Sequence, residues 1–209
     1  MRLVTDNAEE EERPKDETSR RLFFAVNLPK AVTTRLDNMV ASFGVPSGQV
    51  RWVKSENMHI TLKFLGDVDN AMLPDLCAAA KRAVKGFSPI RLSVEGMGVF
   101  PNHERPRVIW FGVGGETAGL KKLEESFSAE ISPLGFPPDE RSFTAHLTIG
   151  RVKNDAARGK LARLVRQYHK FYIGEALVGD VSLYESRLNP KGSIHTVVET
   201  FPLESPGGT

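Results

Sequence analysis

Two short stretches carry the residues that could do chemistry: His59-Ile60-Thr61-Leu62 and His146-Leu147-Thr148-Ile149. Both read His, apolar, Thr, apolar. On a β-strand, side chains two apart point to one face, about 6.6–6.8 Å apart along the chain. Each His therefore shares a face with its Thr, and the apolar residues turn to the core. Two imidazoles suit phosphoryl transfer in neutral water, because an unperturbed pKa of about 6.5 lets one be neutral while the other is protonated. The neutral ring removes a proton from an attacking nucleophile, and the protonated ring supplies one to the leaving oxygen. Thr hydroxyls donate to non-bridging phosphate oxygens. No metal is required. The residues alone leave open which His is the acid. A single H-x-T is a weak signal, since a lone strand His is most often structural; two copies, equivalently placed, are far more specific.

The elements that must hold these residues recur in order. Residues 22–26 form an apolar run, read as a strand. Pro29 opens a helix with Val32, Leu36, Met39, Val40 and Phe43 on one face, and Gly44, Pro46 and Gly48 break it. Residues 58–64 alternate strictly, so Lys63 falls on the face of His59 and Thr61 unless strand twist turns it away. A helix through Leu73, Leu76, Cys77, Ala80 and Val84 and a strand over 90–99 complete the first half. The second half repeats the plan: strand 108–113, a helix with Leu120, Leu123, Phe127 and Ile131, strand 144–149, a helix with Leu161, Leu164, Val165 and Tyr168, and strand 177–184. A turn at 189–192 leads to a last strand over 194–201. Phe23 to His59 and Trp110 to His146 are equal intervals of 36 residues. One-faced alternation in the His strands favours antiparallel pairing. The expected fold is α+β: two pseudo-symmetric lobes, each an antiparallel sheet with helices on its outer face. A two-fold relation would bring both His–Thr faces to a central cleft.

Composition narrows the class. The chain has 209 residues, 40% hydrophobic and 26% charged, with no apolar run long enough for a membrane helix and no basic-then-apolar leader. One cysteine, Cys77, excludes an internal disulfide and a multi-cysteine zinc site. A cytoplasmic monomer without cofactor or obligate protein partner is the expectation. Residues 1–20 hold seven acids against four bases, which leaves a mild basic bias on the rest of a +2 chain. That bias fits a phosphate-bearing ligand and is too weak for non-specific duplex binding. Residues 1–19 read as a disordered acidic tail, 20–203 as a single bilobal domain, and 204–209 as a loose C-terminal tail.

With these residues in hand, the chain resembles the 2H phosphoesterases. Leu22-Phe23-Phe24-Ala25-Val26-Asn27-Leu28-Pro29, Met58-His59-Ile60-Thr61-Leu62-Lys63-Phe64-Leu65-Gly66, His146-Leu147-Thr148-Ile149-Gly150-Arg151 and Leu183-Tyr184-Glu185-Ser186-Arg187-Leu188 resemble the bacterial and archaeal RNA 2',3'-cyclic phosphodiesterases, first described as 2'-5' RNA ligases. The resemblance covers about residues 20–203. It implies a bilobal fold with both motifs in the cleft and metal-free hydrolysis of an RNA 2',3'-cyclic phosphate to a 2'-phosphate. It implies His59 as proton donor and His146 as proton acceptor. It further implies Thr61, Thr148 and Arg151 as the residues that hold the phosphate, with RNA ends as the partner.

Other candidates carry weaker signals. His103 lies in a predicted loop, His169 at a helix end, and His195 at a strand start with no Thr two residues on; all three read as incidental. Gly112, Gly114 and Gly115 read as a turn, since no phosphate-loop lysine comes after them. Phe23, Trp110, Phe143 and Tyr184 could stack on a base, though core packing is the commoner role for such rings. Competing functions are an ATP-independent 2'-5' RNA ligase, which runs the same groups in reverse, and a non-catalytic RNA-end-binding module. A metal site built from His59 and His146 lacks a carboxylate in either motif.

Overall fold

The apolar run at residues 22–26 lies inside β1 (Ser19–Asn27), and its side chains divide between two faces. Leu22, Phe24 and Val26 enter one core, whereas Phe23 and Ala25 turn the other way. The computed structural model describes residues 18–140, 142–189 and 192–204. The predicted tails, apart from Thr18, Ser19 and Glu204, and part of the predicted 189–192 turn lie outside these residues.

After β1 come α1 (Lys30–Ser42), β2 (Val50–Trp52), β3 (His59–Asp69), α2 (Leu73–Ala83) and β4 (Ile90–Phe100). Next are β5 (Val108–Gly115), α3 (Thr117–Ile131), β6 (His146–Val152), α4 (Arg158–Tyr168), β7 (Tyr172–Val178), β8 (Asp180–Asn189) and β9 (Gly192–Pro202). Among the described residues, four strands form one sheet in the order β3-β1-β8-β9, and five form the other in the order β2-β6-β5-β4-β7. Each of these pairings is antiparallel.

The two sheets are not the two halves of the sequence. The central strand of each sheet pairs on one side with its own half's His strand and on the other with a strand from the opposite half. β1 sits between β3 and β8, and β5 sits between β6 and β4. The halves are therefore interlaced, which preserves their two-fold plan while tying them together. The single strand predicted over 177–184 is instead two. Gly179 interrupts it, with β7 before the break in the five-stranded sheet and β8 after it in the other. β2, three residues long, gave no periodic signal. The glycines predicted as a turn at 112–115 belong to the end of β5.

Helical periodicity places the helices against the sheets. Leu76, Ala79 and Ala80 of α2 and Leu120, Leu123, Phe127 and Ile131 of α3 share a core with the four-stranded sheet. Val32, Leu36 and Val40 of α1 and Leu161, Leu164 and Val165 of α4 share the second core. Leu36, Leu120, Leu123 and Phe127 are fully buried, and each such side chain stabilises by about 1.5–3 kcal/mol relative to exposure. In α2, Pro74 and Asp75 occupy the first turn and Lys81 and Arg82 the last, which matches both the missing N–H donor of proline and the helix dipole.

Candidate active site

Cross-strand register builds the first half of the site. On the face of the four-stranded sheet away from its helices, His59 lies opposite Asn27 and Thr61 opposite Ala25. Phe23, Ala25 and Tyr184 form a small apolar floor there. The His59 ring lies 4.8 Å from Phe23 and 5.7 Å from Tyr184, with which it is stacked. Tyr184 donates its hydroxyl proton to Asn27 Oδ1, and Asn27 Nδ2 donates to Ser182 Oγ at 3.0 Å. The floor beneath His59 is thus fixed by a satisfied polar chain, and burial pushes the Tyr184 phenol up. Phe23 is 2% exposed and Tyr184 8%, so these rings pack the imidazole rather than present a face to a base.

A third imidazole stands beside the first. His195, incidental by its sequence context, lies with its ring 5.1 Å from His59 and 5.0 Å from Phe23. Its Nδ1 is buried without a hydrogen-bond partner among the described residues. Only the long-range pairing of β8 with β9 places it, and no local motif signals it. Burial and the neighbouring His195 lower the His59 pKa to about 3, opposed by a hydrogen bond to the backbone of Asn57. Burial also lowers that of His195.

The second half repeats the plan. His146 lies opposite Gly112, and Thr148 opposite Trp110. His146 Nδ1 is 2.9 Å from the carbonyl oxygen of Thr144. A carbonyl only accepts, so Nδ1 carries the hydrogen and the neutral ring keeps its lone pair on Nε2. Phe100 meets His146 edge-on at 5.2 Å, and its ring lies 5.0 Å from that of Trp110, tilted by 31°. The indole lies over Gly98, where an added Cβ would come within 2.2 Å of the ring.

Both motif strands break their alternation at the same point. Leu62 is an extra residue in β3 relative to β1, and Ile149 is an extra residue in β6 relative to β5. Each is the last residue of its motif, and each bulge reverses the facing of the residues after it. Lys63 therefore leaves the face of His59 and Thr61, contrary to the simple alternation. It lies opposite Phe24, is 2% exposed, donates to the Pro137 carbonyl at 2.7 Å and pairs with Asp139 at 3.1 Å. The same reversal brings Phe64, 62% exposed, opposite Phe23 on the His59 face. In β6, Gly150 turns toward Val50 and Trp52, and Arg151 is exposed on the face of His146 and Thr148. The two motif strands, β3 and β6, contact each other across the sheets.

Among the remaining candidates, His103 is exposed in its loop. His169 is exposed with Nδ1 2.8 Å from the Arg166 carbonyl at the end of α4. Phe143 packs against the first core. Cys77 is half-buried, and burial raises its thiol pKa. No group of three or more His, Cys, Asp and Glu side chains among the described residues could hold a metal ion. No helix among them is long and apolar enough to cross a membrane.

The family described as LigT like Phosphoesterase matches residues 26–110 and again residues 113–195, once in each half. The chain belongs to the LigT-like phosphoesterases. It is 37% identical over 183 residues to the RNA 2',3'-cyclic phosphodiesterase of Methanothermobacter thermautotrophicus, covering 88% of this chain and 98% of the relative. It is 38% identical over 181 residues to the protein of the same name from Archaeoglobus fulgidus, covering 87% and 99%. The crystal structure of TT0787 of Thermus thermophilus matches with a TM-score of 0.76 at 31% identity, covering 90% of this chain and all of that one. Membership in this family agrees with the antiparallel α+β plan and its doubled motif.

Proposed function

We propose that this phosphoesterase opens RNA 2',3'-cyclic phosphate ends to 2'-phosphates by metal-independent two-histidine acid/base catalysis. Residues 20–203 work as one bilobal unit in this reading. The observation that carries it is the pair of His–Thr faces on contacting strands, one of them backed by Arg151. The names of the relatives supply the substrate class.

The chemistry needs two proton transfers. His146, with Nδ1 bonded to a carbonyl and a lone pair on Nε2, takes a proton from water as that water attacks phosphorus opposite the 3'-oxygen. The bond from phosphorus to the 3'-oxygen breaks, and His59 gives its proton to that oxygen. One water is consumed, the 3'-hydroxyl is freed and the phosphate stays on the 2'-oxygen. Thr61, Thr148 and Arg151 donate to the non-bridging oxygens as negative charge develops there. His59 must be protonated to act, although burial and His195 favour its neutral form in the protein alone. A phosphate anion in hydrogen-bond reach stabilises the imidazolium and reverses that preference.

Incubation with an oligonucleotide bearing a 2',3'-cyclic phosphate, in EDTA, tests the reading. The expected product is a 2'-phosphate, formed at the same rate with and without chelator. A 3'-phosphate would exchange the roles of the two histidines, a joined product would make the protein a ligase, and binding without turnover would make it an end-binding module. Loss of activity in EDTA would refute the metal-free scheme.

A further inference from the structure

Arg151 has a partner on the same face that no motif contains. β2 pairs with β6 so that Arg51 lies directly opposite Arg151. Val50 is fully buried in the second core and Trp52 packs against it, so the side chain between them points to the other face of the sheet. That face is the one carrying His146, Thr148 and, beyond the bulge, Arg151. β2 is held in place by Val53 N donating to the Ile149 carbonyl at 2.9 Å and Lys153 N donating to the Gln49 carbonyl at 2.8 Å. Both arginines are exposed, and among the described residues neither side chain has a hydrogen bond or ion pair.

Like charges set directly opposite destabilise a ladder. A charged edge strand does discourage sheet-to-sheet pairing, but that purpose does not require a second guanidinium on the adjoining strand. Two unpaired forks side by side are instead the arrangement that binds phosphate oxygens. Neighbouring strands lie about 4.8 Å apart, so Arg51, on β2, stands one strand further from His146 than Arg151 does.

We infer that Arg51 takes the phosphodiester immediately 5' of the cyclic end, so that the substrate is an RNA strand rather than a mononucleotide. This rests on the proposed activity. A cyclic phosphate closes the 3' terminus, so every other backbone phosphate of the strand lies on its 5' side. Arg151 meets the reacting phosphate and Arg51 the next one.

The test compares a nucleoside 2',3'-cyclic phosphate with a trinucleotide ending in the same group, for the wild type, Arg51→Gln and Arg51→Lys. The wild type is expected to favour the trinucleotide at least tenfold in kcat/KM. Arg51→Gln removes most of that preference and leaves mononucleotide turnover within about twofold, and Arg51→Lys restores part of it. Replacing the penultimate linkage by a neutral methylphosphonate slows the wild type and not Arg51→Gln. Binding of a labelled trinucleotide is measured in parallel, and Arg51→Gln is expected to flatten its salt dependence by about 0.7 in log–log slope, one single-strand phosphate contact. Equal losses on both substrates would overturn the inference, since Arg51 would then serve the reacting phosphate or the fold. An unchanged salt slope with an unchanged preference would overturn it as well. Absence of turnover on either substrate by the wild type would defeat the proposed activity, and the binding slope would still decide whether Arg51 holds a strand phosphate.

Discussion

Phe64 and Arg151 occupy equivalent positions in the two lobes. Each is the fifth residue after a motif histidine, each comes after a one-residue bulge, and each lies on the face of its own His and Thr. One is a phenyl ring 62% exposed and the other an exposed guanidinium. The two-fold relation thus holds for the backbone and fails for the chemistry. His59 sits on an apolar floor, whereas His146 has a cation on its strand. An anionic ligand lying between the two His–Thr faces would meet unlike ends, and the two imidazoles have different surroundings from which different roles can arise.

Arg151 should therefore matter for reaction more than for folding. Arg151→Ala is expected to lower kcat/KM about 10²-fold, the scale of losing one preorganised donor to developing charge. Arg151→Lys keeps the charge and loses the fork, so an intermediate loss is expected. Thermal unfolding should be unchanged, because the side chain has no partner to lose. Wild-type kinetics in Arg151→Ala would remove it from the site.

His59 and His146 serve one transition state in the proposed mechanism. Each His→Ala change should cost about 10²–10⁴-fold in turnover. The double variant should be little slower than the slower single variant, because groups acting as a unit are not additive. Steady-state and single-turnover rates on a cyclic-phosphate substrate check this. Additive losses, or either single variant retaining more than about a tenth of activity, would separate the two residues.

Thr→Val keeps the shape of the side chain and removes the hydroxyl. Thr61→Val and Thr148→Val should each lose about 1–3 kcal/mol of transition-state stabilisation while remaining folded by circular dichroism. An unchanged kcat/KM in both would exclude the hydroxyls from phosphate binding.

Lys63 supports the fold instead. Lys63→Met leaves the Pro137 carbonyl without its donor and Asp139 without its cation. Asp139 is 64% exposed on its side chain, so water recovers part of the loss and about 1–3 kcal/mol of destabilisation is expected. A calorimetric scan should show a lower Tm with kcat near that of the wild type. The opposite pattern, normal Tm and reduced kcat, would return Lys63 to the cleft.

That residue also marks the limit of what the sequence discloses. The motif spacing reads His59 with Thr61 and His146 with Thr148 correctly, because a period of two holds within each motif. It fails at the next residue, because a bulge is a property of two strands. The extra residue is defined only against β1 or β5, and nothing local to Leu62 or Ile149 announces it. His195 was illegible for the same reason: it reaches His59 through strand pairing across the sheet. The helices and the duplicated plan were legible because burial periodicity is local. The interlacing of the halves was not, since Gly179 between Leu177 and Tyr184 does not say that the chain changes sheets there.

His59 offers the sharpest physical test. Burial and the facing His195 hold its pKa down to about 3, while an unfolded imidazole titrates near 6.5. Between those values the unfolded chain binds a proton that the folded site refuses, so stability rises with pH. It is lost as pH falls from about 6.5 toward about 3, at no more than about 1.4 kcal/mol per pH unit from this one proton. Denaturant unfolding of the wild type and of His59→Gln across that range should show a shallower acid decline in the variant. Imidazole NMR should find His59 neutral in the free protein through pH 5. Bound nucleoside 2'-phosphate should raise its titration by bringing a phosphate anion beside the ring. His195→Phe removes one of the two depressing causes and keeps an aromatic neighbour, so it should raise the free His59 pKa in part. A free-protein titration of His59 near 6.5, unmoved by the nucleotide, would show that neither burial nor His195 controls the ring, and the coupling of its protonation to substrate binding would be lost.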